Sequence, residues 1–381
     1  VGDYNDLAVV EKFAKTVDVI TFDHEHVPLS VMGALEANGV SVQPPSKALA
    51  FAQNKLHMRQ KLSSLGLPMP AWAEIKTAAE LEAEFDAVIS RHEIVDTAAN
   101  LIRNIRRRET LRIAMGAVLG DLSIAQLSQG LSDLTAGYLR AMLDVATDLN
   151  GSDIAAGDVN EMLDFGIIAM GRFGGEELGF GSDADVMFVY KTKPGTDGAV
   201  AQKVAERIIS ELRRLTADQV LEFELDMDLR PEGKNGPVAR SIESYAAYYE
   251  RWANTWEAQA LLRARPIAGS PELQSEFLEL INKYRYPTQL AEAAVIEIRR
   301  IKARVETERL PLGADPKRHL KLGRGSLSDV EWLVQLYQLK FGAEHPSIRN
   351  PKTLEALDAM VAVDLIEAHD MERNKGRATS L

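Results

Sequence analysis

Asp183 and Asp185 stand two positions apart, just ahead of the apolar run Val186, Met187, Phe188, Val189 and Tyr190. A strand has a side-chain period of two, so both carboxylates fall on one face. Two acids held that close repel each other unless a cation lies between them. A second acidic series occupies residues 221–229, where Leu221, Phe223, Leu225, Met227 and Leu229 alternate with Glu222, Glu224, Asp226 and Asp228. If this stretch pairs beside the first, Asp226 joins Asp183 and Asp185 around Mg²⁺, which prefers an oxygen-only ligand set. Such a cluster bridges nucleotide phosphates and activates an attacking hydroxyl for in-line displacement. Upstream, Gly174 and Gly175 let the backbone come close to a phosphate. Each feature alone has an ordinary structural reading: a loop Asp-x-Asp, a Gly-Gly turn, a solvated acidic face. Their order between apolar strands is what points to chemistry.

The elements that must position these groups are legible around them. Residues 166–171 read as a strand entering a glycine-rich turn, and 204–215 as an amphipathic helix with Ile208, Ile209 and Leu212 on one face. Beyond Ser241 the chain reads as almost all helix, over 245–262, 271–283, 291–308 and 329–341. From Thr77 to about residue 150 the spacing of Leu101, Ile102, Ile105, Leu111 and Ile113 is helical. Within it, Arg106, Arg107 and Arg108 read as a solvated basic face. Residues 1–75 read as α/β, with strands at 17–22 and 40–42 and helices at 31–37, 46–51 and 54–65. His24, Glu25 and His26 sit at adjacent strand positions that point to opposite faces, so they read as a packing motif rather than a metal site.

At roughly 100–200 residues per domain, 381 residues suggest two or three domains. Hydrophobic residues at 46% and charged residues at 26% are ordinary for a globular chain. The net charge of −12 argues against nucleic-acid backbone binding, which needs a basic face, but not against nucleotide binding. With no cysteine, disulfides, thiolate zinc sites and a Cys nucleophile are excluded, which fits a cytoplasmic location. No stretch approaches ~18 apolar residues, so no membrane span is expected. The chain starts at Val1 with neither Met, basic region nor apolar core, and so reads as a fragment or processed product without a signal peptide.

A Gly-Gly turn, a strand with Asp-x-Asp and a third acid on a later strand together resemble the polymerase-β-type nucleotidyltransferase pattern. Longer motifs narrow the resemblance. "MGRFGGEELGFGSDADVMFVY" (170–190), "LDMDLRPEGKNGPVARS" (225–241), "YYERWANTWEAQALLRAR" (248–265) and "KLGRGSLSDVEWLVQ" (321–335) resemble the glutamine synthetase adenylyltransferase/adenylyl-removing enzyme family. The likeness covers about residues 90–370 and is greatest to the adenylylating half; the family's second, deadenylylating domain is missing. The resemblance implies that Asp183, Asp185 and Asp226 are the catalytic, metal-binding acids. It implies that Gly174, Gly175 and Ser182 line the nucleotide site and that Arg230 supports it. It further implies Mg²⁺ as cofactor, ATP as substrate, and transfer of AMP to a tyrosine of glutamine synthetase in the control of nitrogen assimilation. It also implies the PII signal protein as a candidate second partner, and no nucleic-acid or membrane partner is expected.

Two N-terminal stretches, "VGDYNDLAVVEKFAKTVDVITFDHEHVP" (1–28) and "AQNKLHMRQKLSSLGLPMPAW" (52–72), resemble 5-(carboxyamino)imidazole ribonucleotide synthase, an ATP-grasp enzyme. The likeness spans about residues 1–80 and lacks that enzyme's first strand, glycine-rich turn and ATP-grasp domain. No ligase activity is expected, and the join reads as a truncated fusion or an artefact of sequence assembly. The expected architecture is α+β. A partial α/β (pre-ATP-grasp) fragment over 1–80 is followed by a helical lead-in over 81–150. A nucleotidyltransferase domain over 151–243 and a truncated helical bundle over 244–381 complete it. Two other readings are a catalytically silent fragment that binds glutamine synthetase or PII protein, and a nucleotidyltransferase with another protein acceptor.

Overall fold

The computed structural model describes residues 2–24, 26–69, 77–308, 315, 319–323 and 325–367. The chain divides into two compact units, Val1–Lys76 and Thr77–Leu381.

In the first unit, Asp6 caps α1 (Leu7–Ala14) by accepting from the N–H groups of Ala8 and Val9. α2 (Leu29–Ala37), α3 (Ser46–Gln53) and α4 (Lys55–Ser64) follow. The two expected strands reduce to one parallel bridge, Ile20 to Val42. Parallel pairing is stable only within a covered, multi-stranded sheet, and no further strand joins this bridge among the described residues. Ala14, Ile20, Val27, Val31, Met32, Leu35, Val42 and Leu49 form the core. The Glu36 carboxylate accepts from Ser46 N at 2.7 Å and Ser46 Oγ at 2.6 Å, which ties α2 to the start of α3. α4 buries no side chain. The His24 ring packs 5.5 Å from Tyr4 and 5.7 Å from His26; Glu25 lies outside the described residues.

The second unit opens with α5 (Ala78–Ile89), α6 (Val95–Val118) and α7 (Ile124–Asp144). Capping boxes start two of them: Thr77 with Glu80, and Ser123 with Gln126. Short helices α8 (Gly151–Ile154) and α9 (Val159–Met162) lead into β1 (Leu163–Ala169), α10 (Gly171–Gly174), β2 (Ala184–Thr192) and α11 (Gly198–Thr216). Then come β3 (Leu225–Asp226), β4 (Ala239–Ser241), α12 (Ile242–Trp252), α13 (Thr255–Leu261) and β5 (Arg265–Ala268). α14 (Pro271–Arg285), α15 (Glu292–Glu308), α16 (Leu327–Phe341) and α17 (Thr353–Ala362) complete the described elements.

The five strands make one mixed sheet in the order β3-β2-β1-β5, with β4 also on β2. β1 and β2 pair antiparallel from Leu163↔Thr192 to Ala169↔Val186. β3 and β4 both run parallel to β2, at residues 184–185 and 188–190 respectively. One face of the sheet, with Ile168, Met187 and Val189, packs on Tyr245 and Tyr249 of α12 and Phe277 of α14. On the other, Phe165 and Phe188 stack 5.7 Å apart, and the Tyr190 hydroxyl donates to Gln202 of α11 at 2.6 Å. Both faces are covered, which explains the near-continuous apolar runs of β1 and β2.

Three expectations are corrected. The helix over 245–262 is two helices, broken at Asn254, which forms a capping box with Glu257. The region expected as a helical bundle from 244 also supplies a strand, β5, which pairs with β1 at Ala169↔Arg265. The basic run at 106–108 is a solvated face only at Arg108. Arg106 is buried, donates to the carbonyls of Leu221 at 2.9 Å and Glu222 at 3.1 Å, and lies over the Phe223 ring. Arg107 binds Asp218, and Arg108 pairs with Glu84. Arg106 and Arg107 hold the segment leading into β3, so residues 221–222 are clamped to α6.

Asp218 is the centre of that clamp, with a fully buried side chain. Burial alone would raise its carboxyl. The Arg107 hydrogen bonds and the N–H groups of Val220 and Leu221 outweigh burial and hold it at about 2, against an ordinary 3.8. A depressed carboxyl contributes stability that is fully present above about pH 4 and is lost as pH falls through about 2. Asp218→Asn is expected to destabilise the second unit by about 2–3 kcal/mol at pH 7, since it leaves a partly buried arginine without its counter-charge. Urea denaturation at stepped pH should show that deficit shrinking between pH 4 and pH 2. A deficit that stays constant with pH would refute the charge-pair account.

Candidate active site

The turn from β1 into α10 is built against β2. Met170 N donates to the Asp185 carbonyl at 2.8 Å. Gly171 follows with φ +51°, and a Cβ there would sit 2.2 Å from Asp185 Oδ2. Only glycine permits both the left-handed backbone and that approach. Gly174 is as constrained: a Cβ would meet the Arg263 carbonyl oxygen at 1.9 Å. At Gly175 a Cβ would meet Arg263 Nη1 and the Pro351 carbonyl, both at 3.1 Å. The crowded side of the glycine pair therefore faces Arg263 and the residues before α17. Ser182 closes a small turn, with its Oγ accepting from Gly179 N at 3.2 Å, and both Ser182 and Asp183 are exposed ahead of β2.

Parallel register sets Asp185 directly opposite Asp226. Burial pushes the Asp185 carboxyl up to about 6, and the like charges of Asp226 and Asp183 push it the same way. Lys321 and Arg263 act in the opposite sense. Asp226 Oδ1 accepts from Asp228 N at 2.7 Å, which orients its carboxylate. Asp228 pairs with Lys234 at 3.1 Å. Among the described residues, no group of three or more His, Asp or Glu side chains closes around a single metal position. The acids stand as an in-register pair, with Asp183 on the exposed turn near enough to be felt by Asp185.

Arg230 is buried, and its guanidinium donates to the carbonyls of Gly236 at 3.0 Å, Met227 at 2.8 Å and Lys234 at 3.0 Å. It closes the loop between β3 and β4, and its part in the site is to shape that loop. Of the alternation at 221–229 only Leu225–Asp226 is strand, and an arginine-centred loop that contains Pro231, Gly233 and Gly236 separates it from β4 at 239–241.

Sequence reading gave no role to Arg263, which lies inside the motif at 248–265. It is buried, and its Nη2 lies 2.6 Å from Thr353 Oγ1, 3.0 Å from Glu177 and 3.8 Å from Glu331. Glu177 also accepts from Thr353 N at 2.6 Å, and Glu331 of α16 faces Arg172 at 3.7 Å. One arginine thereby joins the α10 turn to α16 and α17. Its signal in the sequence was motif membership alone, because its partners lie far away along the chain.

The family model for glutamate-ammonia ligase adenylyltransferase matches residues 52–280, more than half of the chain. The model for the ribonucleotide synthetase preATP-grasp domain matches residues 1–53. The chain is similar to the bifunctional glutamine synthetase adenylyltransferase/adenylyl-removing enzyme of Leifsonia xyli, at 51% identity over 77% of this chain and 28% of that protein. It is 46% identical to the Mycobacterium avium protein of the same name, over 71% of this chain and 27% of that one. Against the Streptomyces avermitilis protein it is 44% identical over 78% of this chain and 31% of that one. The chain thus spans less than a third of the length of these relatives.

The geometry of the turn gives a stability test. Gly174→Ala and Gly171→Ala are each expected to cost about 2 kcal/mol or more, because the new methyl meets backbone at one site and the Asp185 carboxylate plus a strained φ at the other. Gly198→Ala, where nothing lies within 4 Å and the residue starts α11, should be neutral or stabilising by up to ~1 kcal/mol. Equal denaturation midpoints for all three variants would contradict this packing.

Proposed function

This chain belongs to the glutamate-ammonia ligase adenylyltransferase family, and we propose that its second unit moves an adenylyl group from ATP onto a tyrosine hydroxyl of glutamine synthetase. The single observation that carries the reading is the in-register pair of Asp185 and Asp226 at the mouth of a glycine turn, with Asp183 beside it. The same acids fit Mg²⁺. The donor set is oxygen-only, and the repulsion by Asp226 and Asp183, which adds to the larger effect of burial in raising Asp185, is what a divalent cation relieves. We assign Asp183, Asp185 and Asp226 to hold it. When bound, Mg²⁺ orients the α-phosphate and offsets charge on the leaving pyrophosphate.

The chain's own residues do the rest. Asp226 has one oxygen fixed by the Asp228 N–H, and its other oxygen is free to take the proton of the incoming hydroxyl. The turn of Gly174, Gly175 and Ser182 borders the nucleotide. Arg230 keeps Asp226 in place through its loop, and Arg263 holds the turn against α16 and α17. A reaction that consumes ATP fits a cytoplasmic location. No helix among the described residues is long and apolar enough to cross a membrane. We assign the first unit no part in the transfer. We keep the division at about 80, 150 and 243 as a functional one, with β5 lent to the sheet by the helical region.

A second reading, binding to glutamine synthetase or PII protein without catalysis, is favoured by one observation: the three acids do not close around one metal position. Labelled ATP, Mg²⁺ and purified glutamine synthetase separate the two. Wild-type chain should label glutamine synthetase, and Asp185→Asn should cut the rate by on the order of 10²–10³-fold or more. Its thermal midpoint should stay level or rise, because one member of a repelling set is neutralised. Equal labelling by both proteins sinks the acid-cluster mechanism. If neither protein labels glutamine synthetase but both bind it, the non-catalytic reading holds.

A further inference from the structure

From the motif at 321–335 the site described so far gives a structural role only to Glu331. We propose that Lys321, at the head of the same motif, binds the β- and γ-phosphates of the nucleotide, a role that rests on the nucleotidyltransferase reading above.

The backbone of Lys321 is fixed to the start of α16. Its carbonyl accepts from Ser326 Oγ at 2.8 Å and Ser328 N at 3.2 Å, and Leu327 N donates to Leu320 O at 3.2 Å. Lys302 of α15 secures the same turn through Asp329 at 2.6 Å and Ser328 Oγ at 3.2 Å. Shortly after that start, Glu331 faces Arg172 and Arg263. Arg172 directly follows Gly171, which lies against Asp185. The loop carrying Lys321 is thus anchored to the start of α16, and α16 is tied through Glu331 to the turn that lies against Asp185.

Among the described residues, the other cations around the glycine turn and acid pair are already engaged. Arg263 is held by Glu177, Arg172 by Glu331, Lys234 by Asp228, and Arg230 by carbonyls. Lys321 is exposed, and among the described residues its ammonium makes no hydrogen bond or ion pair. Its charge nevertheless reaches Asp185 and opposes the effect of burial there. A compact ammonium on a flexible stem suits a polyphosphate, which does not demand a planar fork. With the α-phosphate at the acids, Lys321 is, among the described residues of this loop, the unengaged cation left to meet the β- and γ-phosphates. In the transfer, the acceptor hydroxyl gives its proton to a carboxylate and its oxygen bonds to the α-phosphorus. The bond from that phosphorus to the bridging oxygen breaks, and the electron pair leaves on pyrophosphate. Lys321 stabilises the charge that develops there.

The test is equilibrium binding of fluorescent N-methylanthraniloyl ATP and AMP to this chain with Mg²⁺, and displacement of the ATP probe by inorganic pyrophosphate. Lys321→Ala should weaken ATP-probe and pyrophosphate binding by roughly 10-fold, the scale of one charge-assisted hydrogen bond. It should leave the AMP probe and the thermal midpoint unchanged, and Lys321→Arg should restore most of the affinity. Unchanged ATP-probe binding by Lys321→Ala overturns the proposal, and so does an equal loss for AMP, which would mark a general structural role. If the wild-type chain binds neither probe, the nucleotidyltransferase reading itself fails, and this proposal with it.

Discussion

Two like charges are held side by side by backbone register, Asp185 on β2 against Asp226 on β3, and the surrounding structure exists to keep them there. Unit charges ~5 Å apart at an effective dielectric of ~20 repel by about 3 kcal/mol. Free side chains would relieve this by turning to water. β2 cannot yield, because it is paired along its length with β1 and packed on both faces. β3 has only two residues and could not hold Asp226 by its own ladder. It is held from before by Arg106, Arg107 and Asp218, and from after by Arg230. Buried arginines far from the reacting groups are therefore part of what makes the site rigid.

The second consequence concerns the helices after β4. They are interleaved with the sheet rather than appended to it. β5 pairs with β1, and Arg263 just ahead of it presses its carbonyl on Gly174 while its guanidinium reaches Thr353 and Glu331. A displacement of α16 or α17 therefore reaches the glycine turn through one buried side chain. That coupling is a physical route by which a protein bound to the helical region would bias the site, since packed elements shift between discrete arrangements rather than deform smoothly.

The first unit has its own physical limit. Its core runs from Ala14 to Leu49, and α4 buries nothing. The preATP-grasp match stops at residue 53, and the adenylyltransferase match starts at residue 52. The last core residue and the change of family thus fall within a few positions of each other. The stretch at 52–72, grouped with the N-terminal resemblance by its sequence, is covered from its start by the adenylyltransferase model instead.

Local pattern alone determined a good deal. Period-two alternation placed Asp183, Asp185 and Asp226 near strands, and helical spacing found α6, α11 and α14, because these signals depend only on neighbours in the chain. Composition excluded cysteine chemistry and disfavoured a nucleic-acid partner. The buried roles of Arg106 and Arg107 were not legible because their partners, Asp218 and the carbonyls of Leu221 and Glu222, lie more than a hundred residues away. The length of β3 and the return of β5 to the sheet share that cause: a strand exists only where another chain segment offers its edge. The ordering of Arg263, Lys321 and the glycine turn around Asp185 was likewise decided only by tertiary structure. Charge and close packing act through space, and sequence spacing carries no record of which distant groups they bring together.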